Sequence, residues 1–249
     1  MNLTAIVLNY NDFDNTSKCI SNLLNCNLVN YIVCVDNCST DDSFNKLCTL
    51  FVNSDRVALI KTNKNGGYGY GNNFGIKYAF VHLKSKYALI CNPDVIINNN
   101  CINYILAAFD ESNIAVVTAM QHINGKPIAN YAWDVPKSVL YILQGTIFNK
   151  FVTNIFYKSP NNKEKFVISD CVAGACFVID LTKISNIELY DENIFLYCEE
   201  TILGFKLKHE GLVSKTILNC YYDHLHSASI NKSFKSKKKR QRLLYDSRF

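Results

Sequence analysis

No stretch of roughly 18 apolar residues occurs in this chain, which argues against a membrane-spanning helix. There is no Cys-x-x-Cys pair, and no pair of cysteines stands at zinc-ribbon spacing with histidine. The first residues lack a basic stretch followed by a long apolar one. Leu3 to Leu8 already reads as a strand, so no signal peptide is expected and a cytosolic protein is. The net charge is only +5, too small for a protein built as a whole to bind nucleic acid. No internal repeat is found beyond an alternation of strands and helices.

What is present is enough for a large core: 249 residues, of which 49% are hydrophobic. The 11 cysteines fall mostly inside apolar segments, such as Cys34 in Tyr31–Val35 and Cys91 after Leu89-Ile90. Their odd number leaves at least one unpaired, and buried free thiols in a reducing cytosol are the simplest account. The basic residues are uneven, with Lys235, Lys237, Lys238, Lys239, Arg240 and Arg242 crowding the last stretch.

Apolar runs and helical spacing place the elements. Leu3–Leu8 reads as a strand. A helix follows from Asp14, a suitable N-cap, to Leu24. Tyr31–Val35 is a second strand and Phe44–Val52 a second helix. Val57–Ile60 is a third strand, then a glycine-rich loop from Asn63 to Gly71 and a helix from Asn72 to about Leu83. Tyr87–Cys91 is a fourth strand, ended by Pro93, which has no ladder donor. Four strands alternating with three helices imply a right-handed, doubly wound, mostly parallel sheet flanked by helices. The second half is less regular. A helix is expected over Ile102–Phe109, a strand over Ile114–Ala119, and loops and short helices over Asn124–Pro160. Phe166–Ile179 reads as a hairpin or bent strand around Gly174. An amphipathic helix spans Glu199–His209 with Gly211 as its stop, and a last strand spans Leu212–Ile217.

Several polar groups gather at the carboxyl ends of these strands, where open α/β sheets bind ligands. Asp94 follows the fourth strand and Asp36 ends the second. An Asx turn capping the next helix would also account for Asp36, but its place on the strand side favours ligand contact. The glycine loop fails as a dinucleotide fingerprint. Gly69-x-Gly71 is followed by Phe74 where the third glycine should stand, and the first strand has no glycine loop. Glu199-Glu200 opens a helix, a position that dipole energetics alone would favour for carboxylates. His224-x-His226 on an extended segment puts both rings on one face, which suits metal or phosphate contact.

The order of the segments is more specific than any one of them. Leu8-Asn9-Tyr10-Asn11 comes first, then Val35-Asp36-Asn37-x-Ser39-x-Asp41, then Asn65-x-Gly67-Tyr68-x-x-Gly71-Asn72-Asn73-x-Gly75. Asn92-Pro93-Asp94, Gly174-Ala175-Cys176, Phe195-x-Tyr197-x-Glu199-Glu200 and His224 or His226 near Ser229 complete the series. In that order they resemble family 2 glycosyltransferases of the GT-A fold, in particular the bacterial rhamnosyltransferase-like branch, over roughly residues 3 to 230.

The resemblance implies a single domain over 1–230, with a nucleotide-binding half (1–97), an acceptor and catalytic half (98–230), and a basic tail over 231–249. It assigns the nucleobase to Asp36, with Asn9 and Tyr10 beside it. Asn65, Gly67, Asn73 and Asn92 fall in the nucleotide-binding segments. It assigns Mg²⁺ or Mn²⁺ to Asp94, the last carboxylate of an Asp-x-Asp motif whose first member here is Asn92. His224, with His226 as competitor, matches the histidine that follows the last strand. The family's base is the second acid of a Glu-Asp pair, which corresponds to Glu200. Its extra methylene, about 1.5 Å of reach, leaves Glu199 open as the base instead.

Chemistry leads to the same mechanism. A sugar hydroxyl needs a carboxylate to take its proton as it attacks. One base and no enzyme nucleophile give a single displacement with inversion. The expected partners are a UDP- or dTDP-linked sugar donor and a glycan or lipid-linked acceptor in surface polysaccharide synthesis. An anionic membrane surface would be met by Lys235 to Arg242, giving peripheral attachment at the inner face of the plasma membrane. The rival readings are a silent nucleotide-sugar-binding module and a sugar nucleotidyltransferase.

Overall fold

The computed structural model describes residues 2–135, 157–158, 164–184 and 189–225. The first half follows the expected alternation: β1 (Leu3–Asn9), α1 (Phe13–Leu24), β2 (Tyr31–Asp36), α2 (Ser43–Phe51), β3 (Val57–Lys61), α3 (Tyr68–Val81) and β4 (Tyr87–Cys91). These four strands are parallel, in the spatial order β3-β2-β1-β4.

The apolar runs have a direct cause. β1 is covered on both faces, so successive side chains enter different cores. Leu3, Ala5 and Val7 pack with Cys19, Ile20 and Leu23 of α1 and Leu47 of α2. Ile6 packs instead with Ile76 and Ala79 of α3.

The remaining strands extend the same sheet, save the short eighth and tenth, which pair with each other as a separate two-stranded sheet. They are β5 (Val95–Ile96), β6 (Ile114–Ile123), β7 (Lys126–Pro127), β8 (Ala132–Trp133), β9 (Phe166–Ser169), β10 (Cys171–Val172), β11 (Cys176–Asp180) and β12 (Val213–His224). Helices α4 (Asn99–Ala107) and α5 (Glu199–His209) lie on opposite faces, α4 contributing to the core of α1 and α5 to that of α3. β11 inserts antiparallel between β4 and β6, and β12 runs parallel to β6. The segment expected as one bent strand or hairpin around Gly174 is therefore three strands. Cys34 and Cys91 are buried thiols outside any disulfide, as expected.

Several boundaries differ from the sequence reading: α4 begins at Asn99 rather than Ile102, β6 runs to Ile123 rather than Ala119, and β7 and β8 lie in the stretch expected as loops and short helices. Helix α1 begins at Phe13 with Asp12 at its N-cap, so Asp14 is an acid of the first turn. Helix α3 begins at Tyr68, four residues earlier than expected, because its glycines serve packing. A Cβ at Gly71 would lie 2.3 Å from Leu8 Cδ1. The residue before the helix, Gly67, has φ +94°, a conformation that disfavours any side chain. Strand β12 continues to His224, because a register shift between Ile217 and Tyr221 lets the strand resume its pairing with β6 after the expected end.

Candidate active site

The extension of β12 decides one side of the site. β5 pairs with it so that Val95 lies opposite His224. This register brings Asp94, just past β4, within 3.1 Å of the ring: His224 Nε2 faces Asp94 Oδ1. The Asp94 carbonyl also accepts from the Leu225 amide. Behind the ring, Gln121 Nε2 lies 2.8 Å from His224 Nδ1, and the Tyr222 hydroxyl donates to Gln121 Oε1. Asp94 is 8% exposed.

A carboxylate and an imidazole at this spacing fit a divalent cation that takes its other oxygens from a diphosphate and water. Among the described residues no group of three or more His, Cys, Asp and Glu side chains converges. That donor set suits an ion shared with its substrate rather than one enclosed by protein. His226 and the run from Lys235 to Arg242 lie outside the described residues.

The other side is the start of α5. Tyr197 and Cys198 both have positive φ, 76° and 68°, and swing the chain into the helix. Two successive left-handed non-glycine residues are costly, and such strain collects at functional sites. Glu199 is buried and its Oε1 has no hydrogen-bond partner. Burial, and then the charge of Glu200, push its carboxyl up to about 7. Burial also raises the Glu200 carboxyl, while backbone hydrogen bonding at the helix start opposes that shift.

Tyr68 joins the two sides. Its hydroxyl lies 3.0 Å from Asn92 Oδ1 and 3.1 Å from the Gly174 carbonyl. Gly174 is in turn the seat of Glu200, whose Oε1 would lie 2.0 Å from a Cβ placed there. The Tyr68 amide also donates to the Phe195 carbonyl, three residues before Cys198. The Asn92–Asp94 turn and the carboxylate pair are thus held by one aromatic side chain.

The predicted nucleotide residues occupy the neighbouring strand ends. Asn9 and Asp36 are fully buried, and Asn9 Nδ2 donates to Asp36 Oδ1 at 2.8 Å. Asp36 Oδ2 accepts from the Ser39 amide at 3.0 Å and has Lys61 Nζ at 3.7 Å. The turn-forming role of Asp36 is therefore real, with Lys61 holding a positive charge beside it. Tyr10, half-buried, follows Asn9 directly. Asn65 Oδ1 accepts from Asn37 Nδ2 and from the Gly67 amide, shaping the turn before α3. Asn73 spends its amide on the segment leading to α5: it donates to the Tyr190 carbonyl and accepts from the Tyr190 amide.

Tyr68, Gln121 and Tyr222 were not singled out by sequence. Tyr68 is a named position of the Asn65–Gly75 motif without an assigned role, and Gln121 carries no local signal at all.

A sheet of this order, with an acidic turn after β4 and a carboxylate pair opening α5, defines a GT-A glycosyltransferase fold. The chain superposes on GalNAc-T7, solved with UDP, GalNAc and Mn²⁺, with a TM-score of 0.68 at 11% identity, covering 91% of this chain and 44% of that one. It superposes on S. aureus TarS 1-349 in complex with UDP-GlcNAc with a TM-score of 0.60 at 17% identity, covering 90% and 58%. At these identities the likeness is one of fold. The glycosyl transferase family 2 model matches residues 4–180, and the chain belongs to that family. It is also 24% identical over 210 residues to the low-salt glycan biosynthesis hexosyltransferase Agl10 of Haloferax volcanii. That alignment covers 84% of this chain and 62% of the relative's length.

Proposed function

We propose that this chain transfers a sugar from a UDP- or dTDP-linked donor to a glycan or lipid-linked acceptor of surface polysaccharide synthesis, with inversion at the anomeric carbon. One observation carries this reading most. The Asp94–His224 pair and the Glu200 carboxylate flank a single sheet edge, and Tyr68 ties both sides together through Asn92 and Gly174. We place the chain in the rhamnosyltransferase-like branch, on Asn92 standing where other family members carry the first Asp.

In this reading Asp36, Asn9 and Tyr10 receive the nucleobase, and Asn65, Gly67, Asn73 and Asn92 shape the rest of the nucleotide pocket. Residues 1–230 act as one domain. Asp94 and His224 would hold Mg²⁺ or Mn²⁺, with His226 as a further candidate ligand. When bound there, the ion neutralises charge developing on the departing diphosphate. Glu200 accepts the proton of the acceptor hydroxyl as its oxygen bonds to the anomeric carbon. The bond from that carbon to the diphosphate breaks with its electron pair on the leaving group. Burial raises the Glu200 carboxyl, which strengthens it as a base near neutral pH. Glu199 would orient the acceptor, or exchange roles with Glu200.

The test is a thermal-shift screen of nucleotide sugars with Mn²⁺ or Mg²⁺, followed by turnover of each hit. Release of nucleoside diphosphate and a product of inverted anomeric configuration are expected. Pyrophosphate release would make the protein a nucleotidyltransferase, binding without turnover a silent module, and a retained configuration would exclude the single displacement.

Among the described residues no helix is long and apolar enough to cross a membrane. The basic run from Lys235 to Arg242 would supply peripheral attachment to anionic lipid. A truncation before Lys235 that leaves liposome binding unchanged removes that part of the proposal.

A further inference from the structure

Asp94 and His224 end a longer polar line through the seam between β6, β12 and β5. Tyr222 hydroxyl donates to Gln121 Oε1 over 3.1 Å, Gln121 Nε2 meets His224 Nδ1 at 2.8 Å, and His224 Nε2 meets Asp94 Oδ1 at 3.1 Å. Tyr222 and Gln121 are buried. An amide nitrogen can only donate, so with the amide in this orientation Nδ1 is the acceptor and the ring proton sits on Nε2, aimed at Asp94. In that tautomer Nε2 has no lone pair for a cation. A ring that ligates through Nε2 carries its proton on Nδ1 and gives it to an acceptor. Gln121 supplies that acceptor when its amide turns over and presents Oε1. Tyr222 can follow, because a hydroxyl both donates and accepts.

We propose that Gln121 is the positioning residue of the cation site, its amide selecting the His224 tautomer. Tyr222 holds the amide in the arrangement in which His224 donates to Asp94. This rests on the reading that Asp94 and His224 take a divalent ion. The change moves one proton from Nε2 to Nδ1 through solvent and leaves the ring neutral. Asp94 and His224 then form a closed pair without the ion and an open ligand set with it. Gln is suited to this because its side chain offers a donor and an acceptor on one rotatable group.

The tautomer is read directly by ¹⁵N NMR of the His224 ring, without metal and then with Mg²⁺ and UDP. Mn²⁺ affinity is read by water-proton relaxation, with and without UDP. The metal-free protein should show the Nε2–H form and the Mg²⁺ complex the Nδ1–H form. Tyr222→Phe removes the hydroxyl that pins the amide, so it should raise the Nδ1–H fraction and tighten Mn²⁺ several-fold. Gln121→Leu should weaken Mn²⁺ by about 10-fold or more, as loss of an outer partner does at metal sites. If Gln121→Leu fails to fold, Gln121→Glu replaces it. A carboxylate only accepts, and should hold His224 as Nδ1–H even without metal. Asp94→Asn and His224→Ala test the underlying reading, which is lost if neither alters Mn²⁺ affinity. If they weaken Mn²⁺ while the Gln121 and Tyr222 variants change neither tautomer nor affinity, the role of Gln121 is overturned and the cation site stands.

Discussion

The Glu200 carboxylate rests directly on Gly174, with Oε1 at 2.0 Å from where a Cβ would stand. No side chain fits between them. The carbonyl of the same glycine accepts from Tyr68, so the residue that seats the carboxylate is also fixed to the Asn92 turn.

Gly174→Ala should therefore push Glu200 out of place without touching the nucleotide segments. A displacement of about 1 Å at a reacting group costs on the order of 100-fold in rate. The expected result is a fall of that size in kcat with donor affinity unchanged, measured by steady-state kinetics beside nucleotide titration. Unchanged kcat would mean that the seat is irrelevant to turnover.

Glu200→Gln keeps size and removes basicity. Turnover should fall by about 100- to 10,000-fold, the usual contribution of a general base, with nucleotide binding intact. Glu199→Gln should cost less. If the two effects are reversed, Glu199 is the base.

Glu199 also carries a pH signature in stability. Its carboxyl is raised to about 7 in the folded protein, against roughly 4.3 when unfolded. Between these values the folded state binds more protons than the unfolded one, so stability falls as pH rises and levels off above 7. Glu199→Gln removes this loss. Urea unfolding should show the variant more stable than wild type at pH 8 by on the order of 2 kcal/mol, and little changed at pH 4. Parallel stability curves for the two proteins would contradict the burial argument.

In the proposed cation site Asp94 would be the charged ligand of its motif, since Asn92 is neutral. Chelation should abolish turnover and added Mn²⁺ restore it. Asp94→Asn should raise the Mn²⁺ needed for half-maximal rate by about 10-fold or more. Full activity in chelator would place the leaving-group stabilisation on protein groups instead.

The parallel half of the sheet was legible residue by residue. Leu3–Leu8, Tyr31–Val35, Val57–Ile60 and Tyr87–Cys91 are apolar because both faces of each strand are covered, and that leaves a continuous signature. The start of α3 was not legible. Its glycines look like a loop until Leu8 is seen beneath Gly71. The end of β12 was hidden by its register shift, which interrupts the alternation that marks a strand.

By itself the sequence determined the family, the order of the site segments and the acidic residues in them, because those depend on which residues follow which. The tertiary structure decided the partners. Tyr68 meets a carbonyl 106 residues away, and Gln121 meets a histidine 103 residues away. Such contacts are set by strand register and by where β11 inserts, and neither leaves a local pattern. The same register selected His224 as the partner of Asp94, by setting it opposite Val95.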